Sequence, residues 1–309
     1  MHLVPVLVGP TGIGKTAVSV HLANKIPAEI VSADSRQLYR FLNIGTAKPS
    51  KKVLKAIPHY FIDLLSPEDY FSAGMYGRMA REVIDQLLTV GKIPLVVGGS
   101  GFYIRALIDG LSEIRVKDDT LRKKLENHLN QFGVGQLYQE LNQIDPELAK
   151  SISQTDKQRI LRGLEVYYAT GNRLSELQTT NAVPAGFIPL QIGLSASREY
   201  LYHRINERVD NMIADGLVDE VISLRKKGLS PVNNALNTVG YKEVFEYLEG
   251  KIDSNTMINE IKKNTRRYAK RQMTWFRADK RITWIDVDKT TNPEKIAEII
   301  LNRLKISTN

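Results

Sequence analysis

Residues 9–16 read Gly9-Pro10-Thr11-Gly12-Ile13-Gly14-Lys15-Thr16, a glycine-rich run that ends in Lys-Thr. Those residue types at that spacing suit a phosphate. Glycines let successive backbone N–H groups converge on one anion, Lys15 adds a point charge, and the Thr16 hydroxyl can hold a magnesium ion. An apolar stretch, residues 3–8, comes before the run, and a helical pattern through Ala17, Val20, Leu22 and Ala23 comes after it. The run therefore falls where a strand turns into a helix, as a phosphate cradle must. A plain strand-to-helix turn with an incidental Lys-Thr is the bland alternative. The motif predicts a bound di- or triphosphate and leaves the fate of that phosphate open.

Three further groups could act on such a ligand. Residues 29–33 read as a short buried strand ending in Asp34-Ser35-Arg36-Gln37, with a helical stretch expected next. Adjacent strands of a parallel sheet open on the same edge, so Asp34 should face the cradle; capping the following helix is its alternative role, and the two are compatible. A second strand, residues 94–97, runs into Gly98-Gly99-Ser100-Gly101-Phe102-Tyr103. An ATPase keeps a carboxylate at such an exit to organise magnesium and water. Gly and Ser stand there instead, which disfavours motor-type hydrolysis and leaves Ser100 either as a donor to a phosphate or leaving oxygen, or as part of a tight turn. Arg204 and Arg208, four apart on one helix face, could clamp a pyrophosphate with their forked donors or simply lie on the surface. His59 has no partner evident from spacing and is read as packing or bonding a loop.

The elements that must position these groups form an α/β fold: a P-loop NTPase-like parallel sheet core flanked by helices, with an all-helical insertion. A long amphipathic helix is predicted over residues 72–90, and Pro58-His59-Tyr60-Phe61-Ile62-Asp63 reads as a strand-like run ending in an acid. Residues 116–185 show polar-faced helices (119–132, 135–142, 146–152 and 156–170) and no convincing strand. The core is thus drawn as 1–115 and 186–309 and the insertion as 116–185. A strand over 190–194 rejoins the core, and helices continue from Ser197. A loop at 238–243 then precedes a basic helix whose predicted buried stripe is Ile258, Ile261, Tyr268, Trp275 and Phe276. A strand at 282–287 and a helix at 293–304 close the chain.

Composition narrows the chemistry. The 309 residues contain no cysteine and five scattered histidines, which excludes disulfides and thiolate metal sites and disfavours a structural zinc, so magnesium is the expected metal. The first strand begins within two residues of Met1 and no apolar run approaches a membrane span, so a cytoplasmic protein with no membrane partner is expected. Net charge is +9, and it is unevenly placed: residues 257–281 hold nine Lys or Arg against Glu260 and Asp279. Such a window is either a solvated helix face or a track for nucleic-acid phosphates.

The ordered segments GPTGIGKT, SADSRQLY, IGTAKP, PHYFID, GGSGFYIRAL, QRILRGLEV, RINERVDNMIADGLVDEV, TVGYKE and TRRYAKRQMTWFR together resemble the tRNA dimethylallyltransferase, or tRNA isopentenyltransferase, family over essentially the whole chain. The resemblance implies transfer of a dimethylallyl group from dimethylallyl diphosphate to N6 of adenosine 37 in tRNAs that read codons beginning with U. It implies Asp34 as proton acceptor, Ser100 as donor to the bridging oxygen, and a diphosphate held by residues 9–16 with magnesium and Arg208. It further implies contacts to the tRNA anticodon stem-loop from Asp34, Ser35, Arg36, Gln37, Ser100 and Arg122, from Gln158, Arg159, Ile160, Leu161 and Arg162, and from Thr238, Val239, Gly240, Tyr241, Lys242 and Glu243. A monomer is expected. The chain departs from the family in Gly12-Ile13, where two small residues are usual, and in Ser100, where Thr is common; the zinc-finger extension of eukaryotic relatives is missing. Three rivals remain: an isopentenyltransferase of free adenine nucleotide, a P-loop nucleotide kinase, and a non-catalytic RNA-binding switch.

Overall fold

In the computed structural model of the chain, which describes residues 2–111, 118–180 and 183–306, six strands form one parallel sheet in the order β3-β2-β4-β1-β5-β6. The strands are β1 (Leu3–Val8), β2 (Ala28–Ala33), β3 (His59–Tyr60), β4 (Ile93–Gly98), β5 (Ile188–Ala196) and β6 (Thr283–Val287). The helices between β1 and β4 are α1 (Lys15–Lys25), α2 (Lys51–Ala56) and α3 (Ala73–Thr89). After β4 come α4 (Gly101–Ile108), α5 (Asp119–Ile144), α6 (Pro146–Ser151), α7 (Lys157–Thr170) and α8 (Leu174–Thr180). After β5 come α9 (Arg198–Ala214), α10 (Leu217–Lys226), α11 (Tyr241–Leu248), α12 (Ser254–Ala278) and α13 (Pro293–Ile306).

The central strands β1 and β4 are buried on both sides, which is why they read as unbroken apolar runs. Leu7, Ile30, Leu95, Ile192 and Leu194 share one core cluster with Val18 and Leu22 of α1, Leu201 and Ile205 of α9, and Ile296 and Ile300 of α13. Their neighbours Val6, Val8, Val31 and Val96 are equally buried and point the other way along each strand. α3 packs on β2 and β4 from outside, and Tyr76 of α3 stacks on Tyr103 of α4 with ring centroids 4.4 Å apart.

Register fixes the functional edge. Val8 pairs with Gly98 and with Gly193, and Gly98 pairs with Ala33. The residues just past those pairs, Gly9, Gly99 and Asp34, therefore leave the sheet side by side at its C-terminal edge, where ligands of open α/β sheets bind.

The chain divides into two compact units, residues Met1–Ile108 with Ala185–Asn309, and Asp109–Pro184. The Ala185 N–H donates to the Ile108 carbonyl at 2.8 Å where the chain leaves the sheet unit and returns to it. The boundary drawn from sequence between 115 and 116 lies outside the described residues. The second unit is helical. Leu125, Leu137, Leu141, Leu148, Ile160, Leu161, Leu164 and Val166 form its core, and α5 breaks at Gly133, whose φ of 81° no helix tolerates. Buried Asp145 accepts from the Leu148 N–H at 3.0 Å and from the Ser175 hydroxyl at 2.7 Å, so one carboxylate caps α6 and anchors α8.

Four local expectations fail. No helix comes after Asp34; residues 35–38 are turns. The run 58–63 is a strand only at His59–Tyr60, because Phe61 and Asp63 take left-handed φ values of 64° and 54° and the backbone turns away from the sheet. Tyr241, Lys242 and Glu243 begin α11 and are not a loop. In α12 the buried residues are Met257, Ile261, Ala269, Gln272 and Phe276, while Ile258 and Tyr268 are half-buried and Trp275 is 37% exposed.

Candidate active site

The loop between β1 and α1 takes its shape from glycine. Gly9 has φ 147° and a Cβ there would lie 2.8 Å from the Leu194 carbonyl oxygen; Gly12 has φ 82° with Ile205 packed directly beneath it. A side chain at either position would meet strain and a collision together. Ile13, which departs from the family pattern, turns its side chain into the core and is 1% exposed. The backbone is left facing the edge of the sheet, and α1 starts at Lys15 with its positive end there.

Lys15 Nζ donates to the carbonyls of Gly9 at 2.8 Å and Pro10 at 2.9 Å, so the ammonium lies folded back along the loop. Burial brings its pKa down to about 7, with the Asp34 carboxylate pulling it up and the Arg208 guanidinium pushing it down. Burial likewise lowers Arg208, which Asp34 opposes and Arg204 reinforces. Three cations and one carboxylate thus feel one another across a single cavity of about 1170 Å³, lined by Thr11, Gly12, Gly14, Lys15 and Thr16 and by Asp34, Gly99, Arg204 and Arg208. Arg204 Nη1 also reaches the Ile13 carbonyl at 3.4 Å, beside Gly14. A crowd of desolvated positive charge is what an anion would relieve.

Asp34 sits opposite. Its Oδ1 accepts the N–H of Arg36 at 2.8 Å and of Gln37 at 3.3 Å, so the carboxylate organises a tight turn, the capping role foreseen for it without the helix. Gln37 Nε2 donates to the carbonyls of Thr46 (3.1 Å) and Ala47 (3.2 Å), and Arg208 reaches the Thr46 carbonyl at 3.5 Å. Arg36 Nη1 donates to the Asn234 carbonyl at 2.6 Å. The Tyr268 phenol, also lining the cavity, is pushed up to about 12 by burial and then by the charge of Asp34. Ser100 Oγ accepts the Ser35 N–H at 3.0 Å, which fastens the Asp34 turn to the β4 exit, and its hydroxyl also bonds the Tyr268 phenol; Ser100 stands just behind the cavity-lining residues Gly98 and Gly99.

Two groups that hold this edge escape a reading of the sequence. Gln272, 7% exposed on α12, accepts the Thr11 N–H through Oε1 at 2.9 Å and donates through Nε2 to the Gly99 carbonyl at 2.8 Å. It ties the basic helix to both loops of the site. Glu220 of α10 accepts the N–H groups of Asn43 (3.1 Å), Ile44 (2.8 Å) and Gly45 (3.2 Å) and the Tyr241 hydroxyl at 2.6 Å, fixing the IGTAKP loop that closes the cavity. The only hint in the sequence is a polar residue on an otherwise apolar helix face. Gln272→Leu should leave two buried backbone groups unpaired, at a cost of about 1–3 kcal/mol, and lower Tm by several degrees in differential scanning calorimetry. An unchanged Tm would show the bridge to be dispensable.

Of the residues expected to meet a polynucleotide, Thr238, Val239, Gly240, Lys242 and Glu243 line the cavity. Glu243 is braced there by the Gly240 N–H and Asn264 Nδ2, both at 2.8 Å. The Tyr241 ring is wholly buried, against Gly45, and offers no surface. In the helical unit, Ile160 and Leu161 belong to the core, so on that segment only Gln158, Arg159 and Arg162 project outward. Arg162 Nη1 meets Glu165 at 2.9 Å and Arg122 Nη1 lies 3.9 Å from the same carboxylate, which gathers the two guanidiniums into one cluster. On α12, Lys262 pairs with Asp210 at 2.6 Å and Arg266 donates to Asn206 at 2.7 Å. Arg267, Lys270 and Arg271 are exposed.

The fold and this edge define a class: a P-loop α/β protein that sets a carboxylate across from its anion cradle. A model of the IPP transferase family matches residues 37–279. The tRNA dimethylallyltransferase 1 of Syntrophotalea carbinolica is 45% identical over 282 residues, covering 91% of this chain and 90% of its own; that of Thermotoga neapolitana is 43% identical over 302 residues, covering 96% and 98%. Among solved structures, the full-length tRNA isopentenylpyrophosphate transferase of Bacillus halodurans aligns with a TM-score of 0.71 at 36% identity, over 99% of this chain and 98% of its own. A eukaryotic dimethylallyltransferase acting on tRNA aligns with a TM-score of 0.81 at 27% identity, over 100% of this chain and 80% of its own. The chain belongs to the IPP transferase family, the one its motifs point to. The P-loop lies ahead of the segment that the family model matches, and its reading stands on its own geometry.

Proposed function

We propose that this protein transfers a dimethylallyl group from dimethylallyl diphosphate to N6 of adenosine 37 in tRNAs that read codons beginning with U, releasing diphosphate. One observation carries the reading: the Asp34 carboxylate and the Lys15–Arg208 cradle share a cavity larger than the range of about 300–1,000 Å³ usual for one small ligand. There is room for a diphosphate and an extruded base together.

The adenine amino group is a poor nucleophile because its lone pair is delocalised into the ring. As that pair forms the N6–C1 bond, the C1–O bond breaks and its electrons leave on the diphosphate. The N6 proton passes to Asp34, whose Oδ2 is spared by the turn that occupies Oδ1. Charge growing on the leaving group meets the Gly12–Thr16 amides, Lys15 and Arg208, with the Ser100 hydroxyl as donor to the bridging oxygen. The donor set suits magnesium. Thr16 lines the cavity and its hydroxyl would hold the ion there, and among the described residues no three His, Cys, Asp or Glu side chains converge, so diphosphate oxygens and water would supply the remaining ligands. Bound there, the ion would neutralise diphosphate charge. The target base must leave the anticodon-loop stack to reach Asp34.

Mass spectrometry of nucleosides from unmodified tRNA, incubated with dimethylallyl diphosphate and magnesium, tests the proposal. It expects N6-dimethylallyladenosine at position 37. Equal prenylation of free AMP would favour the nucleotide enzyme, and phosphate transfer from radiolabelled ATP without a prenyl product would favour a kinase.

The tRNA grip is assigned to Arg122, Gln158, Arg159 and Arg162 of the helical unit and to the basic helix α12. Because Lys262 and Arg266 are already engaged with α9, the exposed charges of α12 give the clean test. Arg267→Glu with Lys270→Glu should weaken tRNA binding and flatten the slope of log affinity against log salt by roughly two. If affinity and slope stay put, that face is only solvated surface.

A further inference from the structure

Trp275 interrupts the apolar logic of α12. It stands 37% exposed in a helix whose buried face is otherwise met by neighbouring elements, and Phe102 at the start of α4 is 51% exposed beside it. Their rings meet edge to face, with centroids 6.1 Å apart and an interplanar angle of 88°. The indole lies across Gly101: a Cβ there would come within 2.0 Å of Trp275 Cδ1, so the glycine makes room for the ring and holds it in place. Two large aromatics kept in contact with water, and fixed there by a glycine, are a built feature.

Their position says what they are for. Along α12, Tyr268, Arg271 and Gln272 line the cavity, and Trp275 continues that stripe at the next helical step. Three residues of rise from Gln272 amount to about 4.5 Å, and the indole covers Gly101, the residue after Ser100 at the β4 exit, just beyond the cavity-lining Gln272. On the other side, Phe102 comes two residues after Ser100, and Ser100 is bonded to the Asp34 turn. The surroundings on α12 are cationic and hydrogen-bonding: exposed Arg267, Lys270 and Arg271, with Thr274. Exposed aromatics interleaved with cations suit a single-stranded nucleic acid, whose bases stack on the rings while its phosphates meet the charges.

We propose that Trp275 and Phe102 form a stacking platform at the cavity rim for the unpaired anticodon-loop nucleotide adjacent to the target adenosine. The platform rests on the reading of the cavity as a site of prenyl transfer to RNA. It holds the neighbour of the extruded base and so keeps that base from falling back into its stack.

The test uses the full chain and an unmodified anticodon stem-loop RNA, either intact or abasic at one of the nucleotides flanking the target. Trp275→Leu should weaken binding of the intact RNA by about 5–150-fold, the range for loss of one base–aromatic stack, and Phe102→Ala by less. Abasic RNA at the stacked position should bind wild type and Trp275→Leu alike. Because the chain has two tryptophans, indole emission is read in a Trp284→Phe background, where it should change on adding intact RNA and not on adding the abasic form. Affinity for dimethylallyl diphosphate should be unchanged in both variants, which shows that fold and cradle survive. Wild-type affinity in Trp275→Leu, or an equal loss on intact and abasic RNA, would overturn the platform. So would a concentration-dependent change of indole emission without RNA, which would mean that copies of this chain meet there. Absence of prenylated adenosine with the wild-type protein is a different result and counts against the enzymatic reading itself.

Discussion

Replacing Asp34 with Asn is expected to lower the rate of prenyl transfer by about 10²–10⁴-fold while leaving the affinities for dimethylallyl diphosphate and tRNA within roughly threefold of wild type. Asn is the informative replacement. Asp34 has two jobs on two oxygens: Oδ1 accepts the N–H groups of Arg36 and Gln37 and holds the turn, and the other oxygen is the proposed proton acceptor. An amide oxygen can keep the first job and an amide nitrogen cannot do the second. Asp34→Ala loses both, so its effects on rate and on folding would be mixed. Single-turnover rates with saturating tRNA, set beside equilibrium titrations, separate the two roles. Losses of equal size in rate and tRNA affinity would reduce Asp34 to a brace for its turn.

Lys15→Ala is expected to weaken binding of dimethylallyl diphosphate by about 10–150-fold, the range for a hydrogen-bonded charge, and to leave tRNA affinity unaffected. The free protein itself should tolerate the change. Burial depresses the Lys15 pKa to about 7, so its ammonium is held at a cost before any anion arrives, and removing it should not lower Tm. Titration calorimetry with the diphosphate, and Tm with and without it, check both halves. Unchanged affinity would take the cradle out of the mechanism.

The candidate site is more legible in the sequence than the scaffolding that positions it. Residues 9–16 announce themselves because the glycines, the lysine and the threonine each answer a separate requirement of a phosphate, and the neighbouring apolar runs place them between strand and helix. Asp34 emerges from a topological argument, and the register of Val8, Gly98 and Ala33 fulfils it. The residues after Asp34 mislead because an acid before polar residues looks like a helix cap whether or not a helix ensues; here the turn it caps is locked by Gln37 and Ser100, through contacts 9 to 65 residues apart. The end of the run 58–63 is lost to a left-handed backbone that its residue types do not advertise, stabilised in part by Lys48 reaching Asp63 at 2.6 Å.

Gln272 and Trp275 show the limit of periodicity. Helical spacing assigns Trp275 to the interior because tryptophan is apolar and falls near the stripe, and it passes over Gln272 because glutamine is polar. The structure exchanges them. Gln272 is buried because two loop backbones need its amide, and Trp275 is exposed because its indole lies over Gly101, which has no side chain to cover it. Which partners wait opposite a helix face is a property of the tertiary fold, and no window along α12 contains Thr11, Gly99 or Gly101. The basic window has the same defect: its nine cations count alike in the sequence, yet Lys262 and Arg266 are spent on α9 while Arg267, Lys270 and Arg271 meet solvent.

The most direct measurement is a crystal structure of the protein with an anticodon stem-loop RNA and a non-reactive thiolo analogue of dimethylallyl diphosphate. The diphosphate should lie cradled by the 12–16 amides, Lys15 and Arg208, with one carboxylate oxygen of Asp34 within hydrogen-bonding distance, about 2.6–3.2 Å, of the N6 amine of an extruded adenine. An adenine that enters the cavity with its amine turned from Asp34, or a diphosphate bound away from the 9–16 loop, would contradict this arrangement.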